Sequence, residues 1–378
     1  MPTTLDFSFQ WLRAGDEIFP AMLAAIDATS RSLRLEIYTF EDSPVGRAFR
    51  EALVRARQRD ARVRVLVDAI GSLRLSNHFW DPLRQAGGEI RVFNPITLRR
   101  VTIRNHRKLL VCDERTAFVG GFNISPEYEG DGISDGWCDV GLKIEGSLTA
   151  RLAASFDEMF ERAEFRHKRF MRWRKFGAKT TVTLPAEQIL FSGPGRGRSP
   201  FKQSLRRDLA VAKDVRIIVA YFLPTWRLRR DLLRVVRRGG RVQLILAGKS
   251  DVLLSLLAAR SLYRRFLAGG VEIYEYQPQI LHAKLIIADS AVYTGSSNLD
   301  VRSLRINYEL MLRFENAAMA GQAREIFGDV LKNCRQVTME DWRRAHTFWE
   351  RLKQRWAYFL LNRIDPYVAR RQWRDLPD

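Results

Sequence analysis

His106, Lys108 and Asp113 lie in "NHRKLLVCDERTAFVGGFN", residues 105–123, and His282, Lys284 and Asp289 lie in "LHAKLIIADSAVYTGSSN", residues 281–298. Both stretches run His-x-Lys, four residues, Asp, and then a Gly-Gly or Gly-Ser pair shortly before an Asn, Asn123 or Asn298. Each offers an imidazole, which can move a proton or attack an electrophile, beside a fixed cation and an amide donor, which can hold an anion. A single His-x-Lys is a common accident of composition. Two copies, 176 residues apart and each with its Asp and Asn at matched places, arise by chance on the order of 10⁻⁴ or less.

Positioning these groups requires particular elements. Side chains at i and i+2 of a strand share a face, so His106 is expected beside Lys108 and His282 beside Lys284. "LLVC" and "LIIA" continue each strand into the core, and "DER" and "DSA" look like hairpin turns. Such hairpins return Asn123 to about the level of His106 and Asn298 to about the level of His282, with glycines allowing close backbone approach. Asp113 and Asp289 have the wrong parity to share the His face, so their part in the catalytic set is to support the turn. A histidine also needs a partner that orients it and stabilises its charged form. Asp139 in "GWCDVGL" and Glu309 in "NYELML" are the candidates, each an acid inside an apolar run where an unpaired carboxylate is costly.

The surroundings repeat too. "RSLRLEIYTF", "SPVGRAFREALVRARQRD" and "ARVRVLVDAIGS" in the first half match "KDVRIIVAYFLP", "TWRLRRDLLRVVRRGG" and "RVQLILAGKSD" in the second, each a β-branched run, a helical pattern and another β-branched run. Leu228, Leu232, Val235 and Val236 mark one helix face, with Gly239-Gly240 as its stop. The expected organisation is a first domain over 1–160, a basic aromatic linker over 161–184, a second domain over 185–335 and a Trp-rich helical tail over 336–378. The fold class is α/β, two similar halves that each pack helices on a mixed sheet. Duplicated halves of this kind usually pack about a pseudo-twofold axis, which would bring the two motifs face to face.

On these motifs the sequence resembles the phospholipase D superfamily, whose members carry two His-Lys-Asp motifs in two similar halves. More narrowly, "GSSNLDVRSLRINYEL" and "HRKLLVCDERTAFVGGFNIS" are similar to the bacterial cardiolipin synthases, in the shorter form without N-terminal transmembrane helices. The resemblance runs from about Phe9 to about Arg335. It implies a phosphatidyl transferase with phosphatidylglycerol as both donor and acceptor. Lys108, Lys284, Asn123 and Asn298 would bind the phosphate and stabilise charge as it builds in the transition state. The family pattern makes His106 the nucleophile, forming a phosphohistidine, and leaves His282 as acid and then base. An unperturbed imidazole pKa of ~6.5 suits both duties. No carboxylate or Cys/His cluster has metal-ligand spacing, so neither a metal nor another cofactor is expected. The same chemistry on another phosphodiester, as a hydrolase or a nuclease, is the alternative.

Over 378 residues the chain carries 63 Lys and Arg against 43 Asp and Glu, a net charge of +20, which directs it towards anionic partners. Cys112, Cys138 and Cys334 fit neither a disulfide framework nor a zinc site, consistent with a reducing compartment. "MPTTLDFSFQ" lacks the features of a signal peptide, and no apolar run approaches the ~20 residues that span a bilayer. The expectation is peripheral attachment to an anionic phospholipid bilayer at the cytoplasmic face. "FRHKRFMRWRKFGAK", residues 165–179, holds seven Lys and Arg and no acid. In the tail Trp342, Ala345, Trp349, Leu352, Trp356 and Phe359 recur at helical spacing with cations between them, the pattern of an interfacial helix. Nucleic-acid binders place aromatics singly for base stacking, so nucleic acid is not the expected partner.

Overall fold

A computed structural model of the chain describes residues 7–95, 102–163, 179–183, 187–194, 197–345, 347–365 and 367. All of the basic segment 165–179 except Lys179 lies outside them, as do 96–101 ahead of the first motif and most of the chain after Asp365. The chain divides between Gly177 and Ala178 into two compact units.

The first unit is built on seven strands: β1 Phe7–Arg13, β2 Ser32–Ile37, β3 Arg62–Asp68, β4 Glu89–Phe93, β5 Leu109–Cys112, β6 Thr116–Gly120 and β7 Val140–Gly146. Their order in the sheet is β1-β7-β6-β5-β2-β3-β4. β2, β3 and β4 are mutually parallel, and all other neighbours are antiparallel. The parallel strands are joined by crossovers, one of them the helix Pro44–Gln58, whose start is set by Pro44 and by the Ser43 side chain accepting from the Gly46 N–H at 3.2 Å. Phe49, Ala52, Leu53 and Ala56 of that helix join Ile18, Met22 and Ile26 of the helix Ala14–Ala28 on one side of the sheet, over Leu33, Leu35, Val63 and Val65. The helix Leu148–Glu161 packs on β5, β7, β2 and β6.

The second unit contains β8 Thr181–Thr183, β9 Glu187–Ser192, β10 Asp214–Val219, β11 Arg241–Ala247, β12 Glu272–Tyr276, β13 Lys284–Ala288, β14 Ala291–Gly295, β15 Glu309–Glu315 and β16 Cys334–Val337. Read from its far edge, the sheet runs β8-β9-β15-β14-β13-β10-β11-β12-β16. Its central seven strands repeat the order of the first sheet, with β8 and β16 added at the edges. The helix Trp226–Arg237 buries Leu228, Leu232 and Val235 and stops before Gly239, whose φ of +82° is a left-handed value that glycine adopts without strain.

Two local expectations differ from the structure. The hairpin registers pair Leu109 with Val119 and Leu285 with Thr294, so the His rows continue to Phe122 and Ser297, one residue short of each Asn. The first hairpin also has a three-residue loop where the second has two, Asp289-Ser290. The tail is not one continuous amphipathic helix. It breaks between Met339–Ala345 and Phe348–Phe359, where Thr347 caps the second helix by accepting from the Glu350 N–H. Trp342 is buried against Tyr263, at 5.5 Å between ring centroids, while Trp349 and Trp356 are exposed.

Candidate active site

The strand β5 begins at Leu109, and residues 106–108 form an extended arm leading into it. The arm emerges at the carboxyl end of the parallel strands, where open α/β sheets characteristically place their ligands. Lys108 is fully buried, and its ammonium donates to the His106 carbonyl oxygen at 2.9 Å. It also lies 5.1 Å from the centre of the Tyr38 ring, which meets the His106 ring edge-on at 4.9 Å between centroids. The second unit repeats the link: the Lys284 ammonium donates to the His282 carbonyl oxygen and lies 2.8 Å from Nδ1 and 3.0 Å from Nε2 of the His282 ring. His282 is 4% exposed and Lys284 2%, whereas His106 is half-buried. Tyr221 faces His282 edge-on at 6.5 Å between ring centroids. Each unit therefore joins its His and Lys through the histidine's own carbonyl.

Asn123 and Asn298 do related work. The Asn123 side-chain oxygen accepts from the Thr39 N–H at 3.1 Å, and that of Asn298 from the Tyr221 N–H at 3.4 Å, so each ties the segment after β2 or β10 to the end of the motif hairpin. The Asn123 amide donates to the Tyr128 hydroxyl at 2.9 Å, which leaves a second N–H on the same nitrogen.

Asp113 and Asp289 sit at the other end of β5 and β13, five residues beyond Lys108 and Lys284, about 17 Å away at ~3.3 Å per residue. Asp113 accepts from the N–H groups of Ser30, Arg31 and Ser32 at 2.8–3.0 Å, and Asp289 from those of Lys213 and Asp214. Each stands at positive φ in its turn, 53° in both cases. Burial acts to raise the Asp113 carboxyl pKa, but these N–H donors outweigh it and hold the group below its ordinary value.

Asp139 lies one residue before β7 and Glu309 is the first residue of β15, which are equivalent places in the two sheets. Both are buried, at the same end of the sheet as the His-Lys arms. A Cβ at Gly121 would stand 2.4 Å from Asp139 Oδ1, so the absent side chain makes room for that carboxylate. At the equivalent place Ser296 donates its hydroxyl to Glu309 at 2.5 Å. Asp300 caps the short helix Val301–Arg305 through the Ser303 N–H. Burial, reinforced by the nearby Glu309 charge, pushes the Asp300 carboxyl up to about 6 against the pull of that N–H and of Arg302.

Sequence reasoning missed a set of charged residues around the first arm. The Asn105 N–H donates to Asp68 at 2.9 Å, and the Asn105 amide donates to Glu36 at 2.7 Å. Arg104 pairs with Asp68 at 3.3 Å and Arg107 with Glu36 at 3.1 Å. All five are buried. Burial raises both carboxyls above their ordinary values, opposed by Arg107 and Asn105 for Glu36 and mainly by Arg104 for Asp68. The signal was available: Glu36 in "LRLEI" and Asp68 in "RVLVD" are acids in apolar strand runs, the same feature that singled out Asp139 and Glu309.

The family described as "Cardiolipin synthase, PLD-like domain" matches residues 22–163 and 205–331. Cardiolipin synthase B of Salmonella typhi is 32% identical over 371 residues, covering 95% of this chain and 89% of that protein. Cardiolipin synthase 1 of Bacillus cereus is 32% identical over 313 residues, 79% of this chain, and the match spans 62% of the Bacillus protein. Among solved structures, phosphatidylserine synthase of Haemophilus influenzae aligns with a TM-score of 0.74 at 17% identity, over 96% of this chain and 94% of that one. Polyphosphate kinase of Porphyromonas gingivalis aligns at 0.57 and 12% identity, over 86% and 50%. At such identities these two bear on the fold alone, whereas the family match and the synthase relatives together cover most of the sequence: the chain belongs to the phospholipase D-like family of the cardiolipin synthases.

Proposed function

We propose that this protein is a phosphatidyl transferase that joins two phosphatidylglycerol molecules into cardiolipin and releases glycerol. The observation that carries the reading is the repeated arm, in which a buried lysine ammonium is fixed on the carbonyl of the neighbouring histidine once in each unit. Cardiolipin synthases related over most of the chain supply the substrate class. His106 attacks the donor phosphorus, the bond from phosphorus to the glycerol oxygen breaks, and His282 protonates the departing alkoxide. The headgroup hydroxyl of the second phosphatidylglycerol then gives its proton to His282 and attacks phosphorus, breaking the P–N bond and restoring both histidines. Lys108, Lys284 and the amides of Asn123 and Asn298 hold the non-bridging oxygens throughout. Asp139 and Glu309 orient the histidines, and Asp113 and Asp289 hold the hairpins that carry them. The domain boundaries we assign are those near residues 160, 185 and 335. Exposed Trp349, Trp356 and Phe359 support peripheral attachment to a bilayer, with the cytoplasmic face as the side where phosphatidylglycerol is taken up.

The test is thin-layer chromatography of lipids after incubation with phosphatidylglycerol vesicles, beside a DNA-cleavage assay. Cardiolipin and free glycerol are expected from the wild type, and neither from His106→Ala nor from His282→Ala. A denaturing quench during turnover should trap phosphate on one histidine. Normal turnover by either variant refutes the two-histidine reaction. Phosphatidic acid as the only product reassigns the protein as a hydrolase, and cleaved DNA with unchanged lipid reassigns it as a nuclease.

A further inference from the structure

The two arms have the same backbone course and different supports. Lys284 pairs with Val219 across the sheet, and the register of the first sheet sets Lys108 opposite Ile37. Counting from those pairs and along the parallel ladders, Glu36 corresponds to Ile218 and Asp68 to Ala247. Counting from the histidines, Arg104, Asn105 and Arg107 correspond to Ile280, Leu281 and Ala283. Every member of the first-arm charged set thus has an apolar counterpart in the second. Ile218, Ala247, Leu281 and Ala283 are buried apolar side chains, so at these places no side-chain ion pair holds the second arm.

The charged set is closed on several sides. Asn105 sits between the two acids, donating its backbone N–H to one and its side-chain amide to the other. Asp68 also accepts from the N–H groups of Ile70 and Gly71 at 2.9 and 3.1 Å, and Arg107 donates to the Ser155 hydroxyl at 2.8 Å. His106 is flanked directly by Asn105 and Arg107, so its backbone is fixed on both sides by groups locked to β2 and β3. Buried ion pairs are poor devices for stability, because desolvation offsets most of their attraction and apolar replacements of similar volume are often neutral or stabilising. The second arm shows the apolar solution in the same fold. Retention of the costly solution at the first arm points to a demand for placement.

We propose that Glu36, Asp68, Arg104, Asn105 and Arg107 form a clamp, peculiar to the first half, that positions His106 for attack on phosphorus. These are positioning residues and touch no substrate. The inference deepens the transferase reading and rests on His106 being a reacting group. A displaced nucleophile costs turnover without weakening substrate binding, and a misplacement of ~1 Å is enough to cost ~10²-fold.

The test gives the first arm part of the second arm's sequence, as the triple variant Glu36→Ile, Asn105→Leu, Arg107→Ala, which leaves Asp68 and its loop contacts alone. The full-length variant is expected to fold with a melting temperature equal to or above that of the wild type. Its KM for phosphatidylglycerol vesicles should stay within about twofold while kcat falls ~100-fold, with phosphohistidine forming correspondingly slowly in a single turnover. Should the triple variant fail to fold, Asn105→Leu alone, which keeps both ion pairs, is read by the same split. A folded variant with kcat within threefold of wild type overturns the clamp, and so does a loss of activity that only tracks the fraction unfolded. Normal turnover by His106→Ala removes the reading of the site on which the clamp depends. Abolished turnover by His106→Ala beside a fully active triple variant overturns the clamp alone.

Discussion

At the residue scale, the carboxylates nearest the arms invite the most direct tests. Asp139 and Glu309 occupy equivalent places, yet one is accommodated by a missing side chain and the other by a serine hydroxyl. Asp139→Asn and Glu309→Gln should keep the fold and lower kcat strongly, up to the ~10⁴-fold seen when a histidine-orienting carboxylate is lost. Gly121→Ala should act through the same group. Its new Cβ forces the Asp139 carboxylate to move, so kcat should fall at least tenfold with little change in KM, as steady-state kinetics would show. Asp300 makes a pH-dependent prediction. Its folded pKa of about 6 exceeds the ordinary carboxyl value, so the folded state binds this proton more tightly than the unfolded state does. The penalty is absent below about pH 4 and fully present above about pH 6. Asparagine caps a helix as well as aspartate does. Asp300→Asn should therefore raise the melting temperature at pH 8, by an amount equivalent to ~1–3 kcal/mol, and leave it unchanged at pH 4. Equal melting curves at pH 8 would refute the shift.

At the scale of elements, the motif hairpin has two ends with separate tasks. The His-Lys arm is at one end of β5, and the Asp113 carboxylate secures the other by gathering three N–H groups at the start of β2. Asp113→Ala should cost about 1–3 kcal/mol in stability, since those donors lose their acceptor, while kcat stays within a few-fold of wild type. The carboxyl pKa is depressed in the folded state, so its contribution is present above the ordinary carboxylate range and fades as the pH falls through the folded value. Melting temperatures of the two proteins should accordingly converge only in strong acid. The same hairpin shows what was legible in the sequence and what was not. β-branched runs identified β2, β3, β10 and β11, and the motifs identified the hairpin strands β5, β6, β13 and β14, whereas β1, β9 and the shared order of seven strands come only from the fold. The acids Asp139 and Glu309 were singled out because a charge inside an apolar run has few structural explanations, and the fold places both buried at the end of the sheet that carries the arms. Register was harder, because a hairpin loop can gain a residue without altering its flanks, as "DER" and "DS" do. The clamp was missed because Arg104 and Arg107 look like ordinary surface cations next to a motif. Only the fold reveals that they point at Glu36 and Asp68.

At the scale of the whole molecule, a net charge of +20 and an exposed aromatic face have to be explained together. The helix Phe348–Phe359, which runs on into the π-helical segment Leu360–Ile364, is anchored on one side: Gln354 and Ala357 are buried, the Tyr358 hydroxyl accepts from Arg229 at 3.0 Å, and Asp365 after that segment pairs with Arg302 at 2.6 Å. Its other side leaves Trp349 69% exposed, Trp356 56% and Phe359 48%. At the level of lipid headgroups such exposed amphipathic rings are stable, with one end apolar and the other wet. Deleting the tail would also remove buried Trp342 and damage the body, so point substitution is the cleaner probe. We expect the wild type to sediment with anionic vesicles and to bind less as salt is added, because each cation near the surface contributes ~1 kcal/mol of screened attraction. The triple variant Trp349→Ala, Trp356→Ala, Phe359→Ala should lose the salt-resistant part of binding, on the order of 10²-fold in affinity. It should cleave a soluble short-chain phosphodiester at the wild-type rate, since the His-Lys arms lie elsewhere in the chain. Unchanged sedimentation of the triple variant at high salt would show that the aromatic face does not meet lipid. Loss of the soluble activity as well would show that these rings hold the fold.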